Sequence, residues 1–246
     1  MKPTTQTTKN VLTAIWLGRV DYQVAWAWQR RRHELRQRDL CGDTLALLEH
    51  PATYTLGRRS VEEELLYDAG QRAARGIALY RVDRGGRATY HGPGQLVGYP
   101  IIGLGSRYDV IAYLRAIEAA LIETLSDLGV AAERDARHTG VWVGRNKIAA
   151  IGVKITRGVT MHGFALNLTT ELDMFEGIIP CGIQDAGVTS VAAQTGRAWL
   201  LPEVSVTLAG HLAQVLGRQV KWDARRTLEV GGARAAPSRL AAQVSS

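Results

Sequence analysis

Cysteine is scarce in this sequence: Cys41 and Cys181, 140 positions apart, are the two cysteines in 246 residues. That excludes a disulfide-rich secreted scaffold and a cysteine-rich zinc site. No run approaches the roughly 18 apolar residues a membrane helix needs, so no membrane association is expected. Residues 1–10 are polar and threonine-rich, with neither an apolar stretch nor arginine, unlike a secretory signal or an organelle transit peptide. A reducing, cytoplasmic setting is the expectation. Aromatic residues are only 7% of the chain and do not alternate with basic ones, which argues against a stacking platform for single-stranded nucleic acid.

What is present is ordinary globular composition, 46% hydrophobic and 22% charged. A chain of this size buries roughly three quarters of its unfolded surface and needs no covalent staples. The net charge is +7, which suits an anionic partner of some kind. Its densest basic stretch, Arg30, Arg31, Arg32, Arg36 and Arg38, reads as the solvated face of a helix.

Residues 10–18 read as a strand. Asp21 caps a helix to about Arg38 with Val24, Ala27 and Trp28 on one face. Residues 44–48 and 53–56 are strands separated by Pro51, 62–75 looks helical and stops near Gly76, and 77–82 and 95–102 are strands. Ile111, Leu114, Ile117, Leu121, Leu125 and Leu128 recur at helical spacing and end at Gly129. Strands follow at 141–143, 147–155 and 160–168, and Pro202 opens a last helix with Val206, Leu208, Leu212, Val215 and Leu216 apolar, closing at Gly217. Without a regular βαβ repeat, the pattern predicts an α/β fold of the α+β type: a mixed, largely antiparallel sheet flanked by helices. The predicted organisation is a flexible N-terminus over 1–10, one catalytic domain over 11–230 and a disordered tail over 231–246.

Three segments concentrate glycine and polar residues between apolar strands. In Arg84-Gly85-Gly86-Arg87-Ala88-Thr89-Tyr90-His91-Gly92-Pro93-Gly94-Gln95, the glycines permit sharp turns and close approach to a ligand, while Arg, Tyr, His and Gln supply polar contacts. The segment fits neither Gly-x-Gly-x-x-Gly nor the Walker pattern, so it does not indicate a nucleotide-phosphate cradle. Lys147 opens an apolar strand, where a lysine by default snorkels to water; downstream lies His162-Gly163-Phe164-Ala165-Leu166-Asn167, whose histidine alone reads as structural. A lone cysteine is by default a small buried hydrophobe; Cys181, between Pro180 and Gly182, sits in a turn rather than a core strand, which brings a reactive thiol level with that reading, while Cys41 reads as structural. A thiol of ordinary pKa near about 8.5 is mostly un-ionised at neutral pH, and a neighbouring lysine ammonium favours the thiolate.

Arg84-Gly85-Gly86 followed by Thr89-Tyr90-His91-Gly92-Pro93-Gly94-Gln95-Leu96-Val97-Gly98-Tyr99-Pro100 resembles the signature of the lipoyl(octanoyl) transferases. The likeness continues in His50-Pro51, Tyr54-Thr55-Leu56-Gly57, Gly140-Val141-Trp142-Val143, Lys147-Ile148-Ala149, His162 to Asn167, Ile179-Pro180-Cys181-Gly182-Ile183 and Gly187-Val188-Thr189-Ser190. It spans about residues 45–195. It implies the fold of the catalytic domain of biotin and lipoate protein ligases. It also implies transfer of an octanoyl group from octanoyl-acyl carrier protein, through a Cys181 thioester, to a lysine of lipoyl carrier domains. Those domains belong to the 2-oxoacid dehydrogenase complexes and the glycine cleavage protein. Lys147 matches the lysine that lowers the thiol pKa and exchanges protons. Arg84, Gly85, Gly86, Arg87, Ala88, Thr89, Tyr90, His91, Ala150, Ile151, Gly152, Gly163, Phe164 and Ala165 would line the acyl site, with His162 and Asn167 as supporting residues. Gly152 and Gly182 are candidate oxyanion donors. No cofactor and no metal are expected, because thioester-to-amide transfer runs downhill without ATP. Two other readings stand beside this one: an ATP-dependent lipoate or biotin ligase on the same fold, which would need no cysteine, and a non-enzymatic basic binding protein.

Overall fold

The computed structural model describes residues 10–179 and 187–223, with the backbone alone of 229–230 and 233–234. The flexible start expected over 1–10 (save residue 10 itself), the side chains of the tail expected over 231–246, and Cys181 and Gly182 lie outside the described residues. The main sheet contains β1 (Val11–Arg19), β2 (Asp43–Glu49), β6 (Gln95–Ile101), β7 (Glu133–Arg134), β8 (Val141–Val143), β9 (Asn146–Thr156), β10 (Val159–Asn167), β11 (Gly187–Val188) and β12 (Gln219–Trp222). Its order is β12-β1-β2-β6-β10-β9-β8-β7, with β11 beside the start of β9. β12, β1 and β2 are parallel, β11 is parallel to β9, and the other neighbours are antiparallel. A second sheet holds β3 (Thr53–Leu56) between β4 (Ala78–Arg81) and β5 (Ala88–His91). The helices are α1 (Tyr22–Gln37), α2 (Ala69–Ala74), α3 (Val110–Asp127), α4 (Val191–Thr195) and α5 (Leu201–Val215). Among the described residues no helix is long and apolar enough to cross a membrane.

The period of two along β2 explains the layering. Leu45 and Leu47 join the core built with Tyr113, Ile117, Leu121 and Leu125 of α3 and Val204, Leu208 and Leu212 of α5. Ala46 and Leu48 point the other way, to Ala25 and Trp28 of α1. A strand covered on both faces has no polar side to show, hence its near-continuous apolar run. Tyr54, Leu56, Ile77, Tyr90, Phe175 and Ile178 form a separate core behind the second sheet.

Several expectations need correction. Residues 62–75 are not one helix. A single 3₁₀ turn spans Glu62–Glu64, and α2 begins only after Asp68, which forms a reciprocal capping box with Gln71. Between them the amides of Leu66 and Tyr67 both donate to the Gly177 carbonyl, while Leu65 bridges Ile178 and packs with Tyr67 against the second core. Those tertiary partners outweigh the local helical preference. On α1 the buried face is Tyr22, Ala25, Trp28, Gln29 and His33, offset from Val24 and Ala27. Ile111 and Val206 are exposed, at 67% and 56%, because Tyr113 and Val204 begin the buried stripes of their helices. Nor is the arginine run wholly solvated. Arg30, Arg31 and Arg38 are exposed, but Arg32 bonds Thr44 and Arg36 reaches the buried Asp43. Asp43 accepts from Arg36 Nε at 2.8 Å, Arg218 Nε at 2.6 Å and the Gly103 amide at 2.9 Å. One carboxylate thereby ties the ends of α1 and α5 to the sheet, its charge neutralised and its lone pairs filled.

β6 and β10 approach closely at Gly98, whose register partner is Phe164. A Cβ on Gly98 would lie 2.1 Å from the Phe164 ring, so the ring occupies space that any side chain would take. Gly98→Ala should lower stability by about 1–3 kcal/mol through overpacking, measured by urea denaturation. Combining it with Phe164→Ala should cost less than the sum of the two single losses; strict additivity would show that the ring does not rest on Gly98.

Candidate functional site

The two sheets face each other across a cleft whose empty space, open mouth included, is about 440 Å³. Eleven of the fourteen residues assigned to the acyl site line it: Arg84, Arg87, Ala88, Thr89, His91, Ala150, Ile151, Gly152, Gly163, Phe164 and Ala165. The loop before β5 supplies one wall, and β9 and β10 supply the other, in the register Gly152↔Gly163, Ile151↔Phe164, Ala150↔Ala165. The other three residues serve differently. Gly85 donates to the Val153 carbonyl and Gly86 accepts from the Arg59 amide, so both shape the loop. Tyr90 turns away into the second core, against Tyr54 and Phe175. Tyr22, Tyr99 and His162 complete the lining.

A smaller, narrow hollow shares Thr89, Ala150 and Ala165 with the cleft and reaches Lys147, Gln95, Asn167, Phe175 and Val188. Lys147 does not snorkel: it is 7% exposed. β8 holds it on one side, where Trp142 is its register partner and carries the ammonium 4.7 Å from the centre of the indole. β11 holds it on the other, where Val188 is its partner and the Thr189 amide donates to the Lys147 carbonyl. Gly152 lies five residues further along β9, about 17 Å away at ~3.4 Å per residue. It therefore lines the far end of the cleft and does not stand beside Lys147.

A directed chain of buried hydrogen bonds connects the two ends. Arg84 Nη2 donates to the Thr55 hydroxyl oxygen (2.8 Å), which lies 3.4 Å from His91 Nε2. His91 Nδ1 donates to Gln95 Oε1 (2.9 Å), and Gln95 Nε2 donates to Asn167 Oδ1 (2.9 Å). Asn167 Nδ2 donates to the Thr189 carbonyl (2.9 Å), and the Thr189 amide closes the chain on Lys147 (3.0 Å). Asn167 thus supports the position of Lys147, whereas His162 lies at the opposite end. Thr55, Gln95 and Thr189 are the members that sequence reasoning did not single out as site residues. All three lie inside quoted motifs, but only the pairing of β3 with β5, of β6 with β10 and of β11 with β9 brings them into one line.

Burial disfavours the charged form of each imidazole here. His50 is fully buried; a carbonyl can only accept, so its Nδ1–H donates to Val20 O, leaving Nε2 to accept from the Tyr99 hydroxyl. Burial pushes its pKa down to about 4, against the opposing pull of the Val20 carbonyl. His91 is driven well below the usual imidazole value, first by burial and then by His50 and Arg84. His162 is lowered chiefly by burial although its Nε2 bonds Asp83. Asp83 is held far below the carboxylate range, chiefly by that hydrogen bond and then by Lys154 at 2.6 Å. Tyr22 stacks on His91 and Tyr80, its hydroxyl pKa raised strongly by burial.

Cys41 is half-buried, its thiol directed at the Arg32 carbonyl and its pKa raised by burial, the environment of an inert structural cysteine. Of the segment that carries Cys181, the structure describes the two flanks. The Ile179 amide donates to the Glu64 carbonyl, and Gly187 and Val188 lie along Asn146 and Lys147.

Residues 21–213 match the family described as "Lipoyl protein ligase A/B catalytic domain". The chain is 43% identical over 217 residues to an octanoyltransferase of Salinispora arenicola, covering 86% of this chain and 99% of that protein. It is 48% identical over 205 residues to an octanoyltransferase of Mycobacterium tuberculosis, covering 81% and 85%. Among solved structures, lipoate-protein ligase A bound with ATP superposes with a TM-score of 0.74 at 20% identity, covering 87% of this chain and 88% of that one. Biotin protein ligase from Aquifex aeolicus gives 0.50 at 14% identity, covering 83% and 68%. These last two likenesses establish the fold: a mixed sheet flanked by helices.

Stability should fall in mild acid. His50 titrates near about 4 when folded and near 6.5 when unfolded. Between those values the unfolded chain binds a proton that the folded chain refuses. The contribution is therefore complete above pH 6.5 and lost as the pH falls to 4, roughly 3 kcal/mol for this one group; His91 adds in the same direction. Urea midpoints across pH 4–7 should show the decline, and His50→Gln should flatten its slope by about one proton. An unchanged slope would mean that His50 titrates normally in the folded protein.

Proposed function

The chain belongs to the octanoyltransferase family of lipoyl protein ligase A/B catalytic domains, and from that premise we propose how its own residues carry the acyl group. It is an acyltransferase that transfers an octanoyl group in protein lipoylation, from an acyl carrier protein to lipoyl domains. The observation that carries our reading is that the cleft and the hollow at Lys147 share Thr89, Ala150 and Ala165 as walls: an acyl chain laid along β9 and β10 would end near a buried amine.

In the first half-reaction the Cys181 thiolate attacks the carbonyl carbon of the donor thioester. The bond to the phosphopantetheine sulfur breaks, that sulfur leaves as a thiol after gaining a proton, and octanoyl-Cys181 remains. In the second, the ε-amine of a lipoyl-domain lysine attacks octanoyl-Cys181, loses a proton, and leaves as the amide while the thiolate is regenerated. Lys147 is the proton-exchanging group, and as an ammonium it favours the thiolate over the thiol. Ala150, Ile151, Phe164 and Ala165 surround the chain, whose burial contributes roughly 0.8 kcal/mol per methylene. Because Gly152 is about 17 Å from Lys147, we assign the oxyanion donors to the segment around Gly182 instead. The acceptor lysines are those of 2-oxoacid dehydrogenase complexes and the glycine cleavage protein. The site needs no metal and no bound cofactor, and the enzyme works in the cytoplasm.

The net charge of +7 suits acidic carriers. Arg58 and Arg59 are exposed, and their amides bond the carbonyls of Arg84 and Gly86 on the cleft-bordering loop, so positive charge stands at the rim.

Incubation with octanoyl-acyl carrier protein should leave a hydroxylamine-labile acyl group on Cys181, read by intact and peptide mass spectrometry. Cys181→Ala should abolish both adduct and transfer. Transfer that persists in that variant, or that proceeds from free octanoate and ATP, would remove the covalent mechanism. Raising the salt from 50 to 500 mM should weaken kcat/KM steeply with little change in kcat, since rim charges act on encounter; a flat response would exclude electrostatic docking.

A further inference from the structure

We propose that Trp142 is a positioning residue for this reaction: its indole is the floor on which the Lys147 ammonium is fixed. The inference rests on the assignment of Lys147 as the thiol's cation.

The arrangement follows from strand register. β8 and β9 pair as Val141↔Ala149 and then Trp142↔Lys147, a shift that leaves Ile148 opposite no residue. That bulge re-aims the side chains and brings the indole face to the ammonium, 4.7 Å from the ring centre to Nζ. Both residues are buried, Trp142 at 4% and Lys147 at 7% exposure, where a cation over an aromatic face is attracted more strongly than at a wet surface. The rest of the floor is equally exact in its fit. Gly140 has φ +131, and a Cβ there would lie 2.7 Å from the Ala149 carbonyl and 3.2 Å from Lys147 Cε. The Gly140 amide donates to Glu118 at 3.1 Å, a carboxylate 1% exposed and bridged by Arg115 and Arg134. Helix α3 thereby holds the turn that holds the indole. A lysine side chain has four rotatable bonds and large rotamer freedom; the ring removes that freedom at the end where the charge is used.

Five lysines occur in the chain, Lys2, Lys9, Lys147, Lys154 and Lys221, so lysine labelled with ¹³C at Cε gives a readable spectrum. The signal missing in Lys147→Gln identifies Lys147. In the full-length protein we expect that signal displaced upfield by the indole ring current, less displaced in Trp142→Phe, and at the ordinary position in Trp142→Leu. In a Cys41→Ala background, the pH of half-maximal Cys181 alkylation by iodoacetamide should rise toward about 8.5 in Trp142→Leu and less in Trp142→Phe. kcat should fall about two- to tenfold while KM for the donor stays constant. A Lys147 signal already at the ordinary position, or a Trp142→Phe protein whose signal, alkylation profile and kcat all equal those of the unsubstituted protein, would overturn the proposal. If Lys147→Gln leaves the alkylation profile unchanged while the ring-current shift is present, the fault lies with the pairing of Lys147 and Cys181, not with the indole contact.

Discussion

The buried line of hydrogen bonds from Arg84 to Lys147 is the constraint on which the rest of the site depends. Each member offers its donor in the same direction, through Thr55, His91, Gln95, Asn167 and Thr189. All seven residues are at most 8% exposed. Buried polar groups of this kind are costly unless every one is paired, so the line forms only when both sheets are in register. It fixes the separation of β5 from β10, and that separation is the width of the cleft. Burial favours the neutral form of His91, which accepts at Nε2 from Thr55 while donating at Nδ1 to Gln95.

A division of labour follows. The Arg84 end of the cleft is aromatic and charged, with Tyr22, Tyr99, His162 and the Asp83–Lys154 pair. The middle is apolar, Ala150, Ile151, Phe164 and Ala165. The other end carries a buried amine clamped between β8 and β11. An apolar stretch and a buried amine therefore sit at defined places along two adjacent strands, and the rise per residue of β9 sets the distance between them. Outside this axis the structure invests in rigidity: Asp43 gathers two arginines and an amide at one junction, and Glu118 gathers two more arginines at the turn beneath Lys147.

Much of this was legible before any coordinates. The apolar periodicity located α3 and α5, Asp21 marked the start of α1, and short apolar runs located β1 to β4, β6 and β8 to β10, because each of these signals is local; β5, inside the glycine-rich segment, and the short β7, β11 and β12 carry no such run. The region 62–75 was misread for the complementary reason. Its composition is helical, but Leu65, Leu66 and Tyr67 are claimed by Gly177 and Ile178, more than a hundred residues away. The offset of the buried face on α1 has a similar cause, since the position of the sheet beneath it, not the helix itself, selects which stripe is covered.

The sequence by itself determined the family and the glycine-rich loop, because these are matters of residue type and short spacing. Tertiary structure alone decided the rest. It turned Lys147 from a residue expected to snorkel into a buried cation, because β8 and β11 close over it from both sides. It moved Gly152 to the far end of the cleft, because strand rise is a distance that no motif encodes. It also set Trp142 beneath the ammonium, because a bulge in the pairing of two strands is a property of their register and of neither strand alone.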